Sequence, residues 1–223
     1  MGLSCASPAV VSRGHFIVFE GVDGSGTTTQ SRLLASYLNE AGLPVTLTRE
    51  PGGTPVAEKI RQLVLDPSLE GISSTAELFL YAASRSQHVE EVILPSLNRG
   101  DVVICDRYIA SSLAYQGYGR DLDLEVIEQV NRLVVGECLP DATIYLILPV
   151  EVAWARLRHR DTADRLEQTG MALQEKVARG YQEISERDPV GLVFDAQIEM
   201  DRLAERIQDA LRRQWSWFPE EKK

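Results

Sequence analysis

Phe16-Ile17-Val18-Phe19-Glu20-Gly21-Val22-Asp23-Gly24-Ser25-Gly26-Thr27-Thr28-Thr29-Gln30 is the stretch from which the rest of the chain is read. It begins with a short apolar run, too short for a helix and rich in β-branched and aromatic residues, so a buried strand is expected. Gly21, Gly24 and Gly26 then let the backbone curl with its N–H groups turned inward. From Thr28 onward Leu33, Leu34, Tyr37 and Leu38 recur at helical spacing, so the turn feeds straight into a helix. Free N–H groups at the positive end of a helix dipole form a phosphate site.

The glycine spacing is that of the phosphate-binding P-loop, G-x-x-x-x-G-K-[ST], with one departure: Thr27 stands where the motif has lysine. Thr28 keeps the hydroxyl that ligates Mg²⁺ in such loops. The expected nucleotide cradle is therefore Gly21, Val22, Asp23, Gly24, Ser25, Gly26, Thr27, Thr28 and Thr29. A surface turn rich in glycine and threonine is the plainer alternative. The strand before and the helix after favour the cradle.

The 223 residues suffice for one domain with a full core. With 23 basic against 33 acidic residues the net charge is −10, which argues against nucleic acid or an anionic membrane as the main partner. Cys5, Cys105 and Cys138 have neither zinc spacing nor a disulfide framework, as expected in a reducing, cytoplasmic setting. Residues 1–14 lack periodicity and read as a tail without signal-peptide features, and Ala6 breaks a myristoylation motif. No apolar stretch approaches membrane-spanning length. A single unit over residues 15–214 follows, with a C-terminal tail at 215–223 carrying Trp215, Trp217 and Phe218.

Val45 to Thr48 reads as a second strand, ending in the charged turn Arg49-Glu50-Pro51-Gly52-Gly53-Thr54. Ligands of open α/β sheets lie beyond such strand ends. Helices are expected around Val56 to Leu65 and Thr75 to Leu94. In the second, Tyr81 and Arg85 share a face, the spacing of any packed helix surface. Asp101-Val102-Val103-Ile104-Cys105-Asp106-Arg107-Tyr108 is an apolar strand ending in a carboxylate, the pattern of a Walker B aspartate on Mg²⁺, and Arg107 adds a fork suited to phosphate. Ser111, Ser112, Tyr115 and Gln116 precede a flexible turn at Gly117-Tyr118-Gly119. Further strands are expected at Ala142 to Leu148 and Val190 to Asp195, with helices near Leu124–Val135, Leu173–Arg187 and Met200–Trp215. Arg156, Arg158, Arg160 and Arg165 fall within ten residues, a basic lid at about 155–168 that would close over phosphates. His159 among them reads as a surface residue. The alternation predicts one α/β domain around a parallel sheet.

Taken together, the P-loop, T-R-E-P-G-G-T, the D-R-Y strand end, A-Y-Q-G and the D-R-L-E segment resemble the thymidylate kinase family, from about Phe16 to Arg213. The resemblance implies a P-loop NTPase-type three-layer fold with a five-stranded parallel sheet, usually a homodimer. It implies an enzyme that phosphorylates dTMP to dTDP with ATP and Mg²⁺. Asp23 would meet the deoxyribose 3′-hydroxyl, and Tyr81 would stack on thymine where the family has phenylalanine. Arg85 would hydrogen-bond the base, while Arg49 and Arg107 would hold the acceptor phosphate. Ser112, Tyr115 and Gln116 would line the nucleoside, Tyr115 against a ribose 2′-hydroxyl, and Glu50 belongs to the same charged turn. Thr28 and Asp106 would organise Mg²⁺. The loop lacks an arginine and the lid is basic, so Arg156, Arg160 and Arg165 are the expected catalytic arginines, one of them replacing the charge absent at Thr27. Two readings remain beside this one: a kinase for another nucleoside or nucleoside monophosphate, and a degenerate P-loop protein that binds nucleotide without transfer.

Overall fold

A computed structural model describes residues 13–69, 71–157, 165–166 and 170–220. The first half runs β1 (Phe16–Gly21), α1 (Thr27–Glu40), β2 (Val45–Arg49), α2 (Pro55–Leu65), α3 (Ser74–His88), α4 (Leu94–Asn98) and β3 (Val102–Asp106). The second half runs α5 (Ile109–Ser112), α6 (Leu124–Val135), β4 (Ala142–Ile147), α7 (Val150–Leu157), α8 (Met171–Arg187), β5 (Gly191–Asp195) and α9 (Met200–Gln214). The five strands form one parallel sheet in the order β2-β3-β1-β4-β5. Every residue of β1 and β3 is buried, as expected of strands covered on both faces.

Side chains of β1 alternate between two cores. Ile17 and Phe19 pack with Leu34, Leu38, Leu203 and Ile207 on one face of the sheet. Phe16 and Val18 pack with Ile93, Leu97, Val103 and Tyr108 on the other. The strand order sets the site. β1 and β3 are neighbours, with Phe19 opposite Asp106, yet the chain leaves β1 toward β2 and leaves β3 toward β4. Their carboxyl ends therefore open a crevice where the connections diverge, the usual ligand position in such sheets.

Two local expectations are corrected. The single helix expected from Thr75 to Leu94 is broken by a π-helical turn at Val89–Ile93 before α4. Pro95 has no N–H and its ring crowds the carbonyl four residues back, so regular α-helix cannot run through it. The flexible turn expected at Gly117-Tyr118-Gly119 is instead the end of a mostly buried π-helical segment, Leu113–Gly119. Its glycines answer to packing: a Cβ on Gly117 would lie 2.3 Å from Leu124, and one on Gly119 would lie 2.8 Å from Leu173. At the C-terminal end Trp217 stacks on His15 at 4.0 Å and Phe218 packs beside Tyr37, so this aromatic segment docks on the body.

Candidate active site

The loop between β1 and α1 supplies one wall of a cavity of about 330 Å³. Gly24 and Gly26 adopt φ of 84° and 98°, the left-handed region that glycine enters without strain. Gly24 is also required sterically, because a Cβ there would meet the Ala153 carbonyl of α7 at 2.6 Å. The first-turn amides of α1 face this wall without intrahelical partners. Thr27, Thr28 and Thr29 line the cavity, with Thr27 almost fully buried.

Thr28 Oγ1 donates a short hydrogen bond to one oxygen of Asp106 across the β1–β3 crevice. The other oxygen, Asp106 Oδ1, is buried without a hydrogen-bond partner, and so is Ser25 Oγ in the loop. A hydroxyl beside a carboxylate with a spare buried oxygen is a donor set of hard oxygens. It suits Mg²⁺, which takes few protein ligands and completes its shell with water and phosphate. Among the described residues there is no cluster of three or more His, Cys, Asp or Glu that would form a cage by itself.

Arg107, just after β3, has φ of 73°, a conformation costly for a side chain bearing Cβ and typical of functional sites. That twist turns its guanidinium back onto the loop. It donates to Gly21 O at 2.6 Å, Tyr181 Oη at 3.0 Å and Asp23 Oδ1 at 2.7 Å. Asp23 also accepts from Tyr115 Oη at 2.7 Å. Beneath this layer lies Glu20, fully buried within β1. It accepts from Tyr108 N, Ser111 N, Ser111 Oγ and Tyr181 Oη, fixing the start of α5. Burial raises its pKa despite these donors.

The far wall comes from α3. Arg85 is 2% exposed and donates to Glu50 Oε2 at 2.7 Å, Ser112 Oγ at 2.9 Å, Asn131 Oδ1 at 2.6 Å and Tyr108 O at 2.7 Å. Four of its five N–H groups are thereby committed to protein. Glu50 in turn meets His88 Nδ1 at 3.0 Å, and His88 Nε2 lies 2.6 Å from Thr48 Oγ1. Gln116 donates to Glu77 at 2.9 Å, and Arg165 and Arg120 bind the same carboxylate. Burial alone would raise the Glu77 pKa; Gln116 and the two arginines outweigh it and lower it. Cys105 is a buried thiol with its pKa pushed up, not a nucleophile.

The expected residues thus sort by position. Asp23, Thr28, Arg49, Tyr81, Arg85, Asp106, Arg107, Ser112, Tyr115 and Gln116 all line the one cavity. Glu50 lines it as well, but its carboxylate is engaged in holding Arg85 and His88. Arg49 is half-exposed and paired with Glu58 at 2.9 Å. Arg156 donates to Gly24 O at 3.2 Å and Ala196 O at 2.9 Å, behind the loop. Arg165 binds Glu77 and, through Nε, Val64 O at 2.8 Å, while its neighbour Leu166 lines the cavity. Arg160, with Arg158 and His159, lies outside the described residues.

Glu20, Glu77, His88 and Asn131 join the site beyond the residues expected from the sequence. Glu20 is signalled by a carboxylate inside an otherwise apolar strand. Glu77, Tyr81, Arg85 and His88 recur at helical spacing and could have been read as one face of α3. Asn131 had no such signal.

A glycine-rich loop before a helix, a strand-end carboxylate on the adjoining strand and a parallel five-stranded sheet define a P-loop nucleotide-binding protein. The thymidylate kinase family model matches residues 19–207. A thymidylate kinase of Trichodesmium erythraeum is 43% identical over 210 residues, covering 87% of this chain and 93% of the relative. One of Pelotomaculum thermopropionicum is 49% identical over 178 residues, covering 79% and 82%. The crystal structure of thymidylate kinase from Ehrlichia chaffeensis superposes with a TM-score of 0.74 at 35% identity, covering 90% of this chain and 99% of that one. The chain belongs to the thymidylate kinase family.

Proposed function

We propose that the protein transfers the γ-phosphoryl group of ATP to dTMP, giving dTDP and ADP. The observation that carries this reading is the single cavity joining the P-loop and the Thr28–Asp106 pair to the wall of Tyr81, Arg85 and Gln116. Donor phosphates would lie along the loop amides, and Thr28 and Asp106 would hold a Mg²⁺ ion, which would supply charge neutralisation for them. The thymine ring stacks on Tyr81. Arg85, locked by Glu50, Ser112 and Asn131, offers its remaining N–H to the base. Asp23, oriented by Arg107 and Tyr115, accepts from the 3′-hydroxyl.

In the transfer step an oxygen of the acceptor phosphate bonds to the γ-phosphorus as the bridge to the β-phosphate breaks and ADP leaves. The nucleophile is already ionised, so positioning and charge cancellation suffice and no general base is required. Arg49 and Arg107 hold the acceptor phosphate. Within a basic lid at about 155–168, Arg156 and Arg165 would have to leave Gly24, Ala196, Val64 and Glu77 to reach the transferred group, and Arg160 is a third candidate. The kinase unit spans residues 15–214.

A homodimer is part of the same proposal. α3 and α6 pack side by side, and their outer faces expose Phe79 (56%), Val126 (48%) and Leu133 (84%), apolar area that a second copy would cover. Buried free thiols at Cys105 and Cys138 suit work in the cytoplasm. A coupled ADP-release assay tests the reaction: turnover should require dTMP and Mg²⁺, and exceed that with dUMP, CMP or thymidine. Turnover independent of every acceptor would refute it.

A further inference from the structure

Thr27 leaves the loop without the full positive charge that the motif places there, and the described lid arginines do not face the gap. Arg156 is spent on Gly24 and Ala196 carbonyls, and Arg165 on Glu77 and Val64. Of the cavity's other arginines, Arg85 is paired with Glu50, Arg107 and Arg49, assigned above to the acceptor phosphate, are paired with Asp23 and Glu58, and Arg61 donates to Pro51 O. Arg32 differs. It lines the same cavity as Thr27 and Thr28, is exposed, and among the described residues has no hydrogen-bond or ion-pair partner.

Its place on α1 aims it usefully. Arg32 follows Thr28 by four residues and Thr29 by three, on the outer face of the helix, and helical side chains lean toward the N-terminus. From there the guanidinium can reach along Thr28 and Thr29 toward the loop, whose cavity it lines with them. A permanently charged fork is suited to two phosphoryl oxygens at once. We infer that Arg32 is a catalytic residue of this chain, supplying to the ATP phosphates the positive charge that Thr27 cannot. This rests on the kinase reading above.

Such a substitution of one cation for another is reciprocal: a lysine restored at position 27 makes Arg32 dispensable. The experiment measures kcat, both KM values and thermal midpoints for wild type, Arg32→Gln, Arg32→Lys, Thr27→Lys and the Thr27→Lys/Arg32→Gln double variant. Arg32→Gln should lower kcat about a hundredfold, the usual scale for removing one donor to transition-state charge. Its melting point should stay at the wild-type value, since the side chain holds nothing in the fold. Arg32→Lys should keep turnover within about tenfold of wild type, because it retains the charge without the fork. In the Thr27→Lys background, Arg32→Gln should cost no more than about threefold, a coupling between the two positions. Wild-type kinetics for Arg32→Gln would overturn the inference. So would an equal loss in both backgrounds, or a change confined to the KM for dTMP. Absence of dTMP-dependent turnover in the wild type would instead refute the kinase reading, and this inference with it, before any variant is compared.

Discussion

The two walls of the cavity are built on opposite plans. On the α3 wall every charge has a partner: Arg85 and Glu50 are 2% and 4% exposed at the side chain, and His88, Ser112 and Asn131 complete the network. On the loop wall polar atoms are left over, namely Asp106 Oδ1 and the first-turn amides of α1, and Ser25 Oγ within the loop has no partner either. Low dielectric makes a paired buried network rigid and an unpaired buried group costly. The α3 wall is thus held in shape by its own partners, whereas on the proposed function the loop wall would gain its missing partners from bound phosphate.

Glu50→Gln would break this contrast most strongly. It leaves Arg85 as an uncompensated buried cation, so a loss of about 3–5 kcal/mol in urea unfolding is expected. A loss below about 1 kcal/mol would mean that Ser112, Asn131 and Tyr108 O hold the guanidinium without the carboxylate. On the loop wall the signs reverse. Asp106→Asn should lower dTMP-dependent turnover by about 10²–10³, the scale of other single electrostatic contributions to transfer, while urea stability stays near wild type. If Asp106→Asn instead unfolds the protein, the loop wall is structural and the contrast fails.

What could be read beforehand follows the same division. The loop and Asp106 are contiguous motifs whose chemistry is set by local spacing, and the strands announce themselves as apolar runs or, in β2, as a short β-branched alternation. The α3 wall is assembled by contacts distant in sequence: Arg85 meets Glu50, Ser112 and Asn131 across separations of 35, 27 and 46 residues. Tyr81 and Arg85 were legible as one helix face, but nothing local says that Glu50 turns inward or that Asn131 reaches Arg85. The strand order, which places β3 beside β1, was equally hidden, because apolar runs do not encode their neighbours. The glycines of 113–119 misled for a related reason. Gly117 and Gly119 look like turn residues, and only the positions of Leu124 and Leu173 show that they make room for packing.

That packing offers a finer test of the acceptor wall, since Tyr115 and Gln116 sit in the same π-helical segment. Gly119→Ala places a methyl 2.8 Å from Leu173 and 3.2 Å from Val177. Overpacking of this kind costs about 1–3 kcal/mol. The thermal midpoint should fall, and KM for dTMP should rise more than KM for ATP, because the disturbed segment belongs to the proposed acceptor side. Equal rises in both would show that the walls do not respond separately.

The smallest effect, and the sharpest in sign, concerns two buried carboxylates. Glu77 has its pKa lowered, burial being outweighed by Gln116, Arg165 and Arg120. Its contribution to stability is present above the ordinary glutamate pKa and is lost as pH falls through the lowered value. Glu20 has its pKa raised by burial. Its contribution is fully present below the ordinary value and is lost as pH rises through the raised one. Urea unfolding of wild type, Glu77→Gln and Glu20→Gln across about pH 4 to pH 7 separates the two. The stability gap between wild type and Glu77→Gln should widen as pH rises, and the gap to Glu20→Gln should narrow. Slopes of the same sign would show that the carboxylate beneath the P-loop is held charged as firmly as the one beside Gln116, and the two walls would then differ in ligand chemistry but not in how they treat a buried charge.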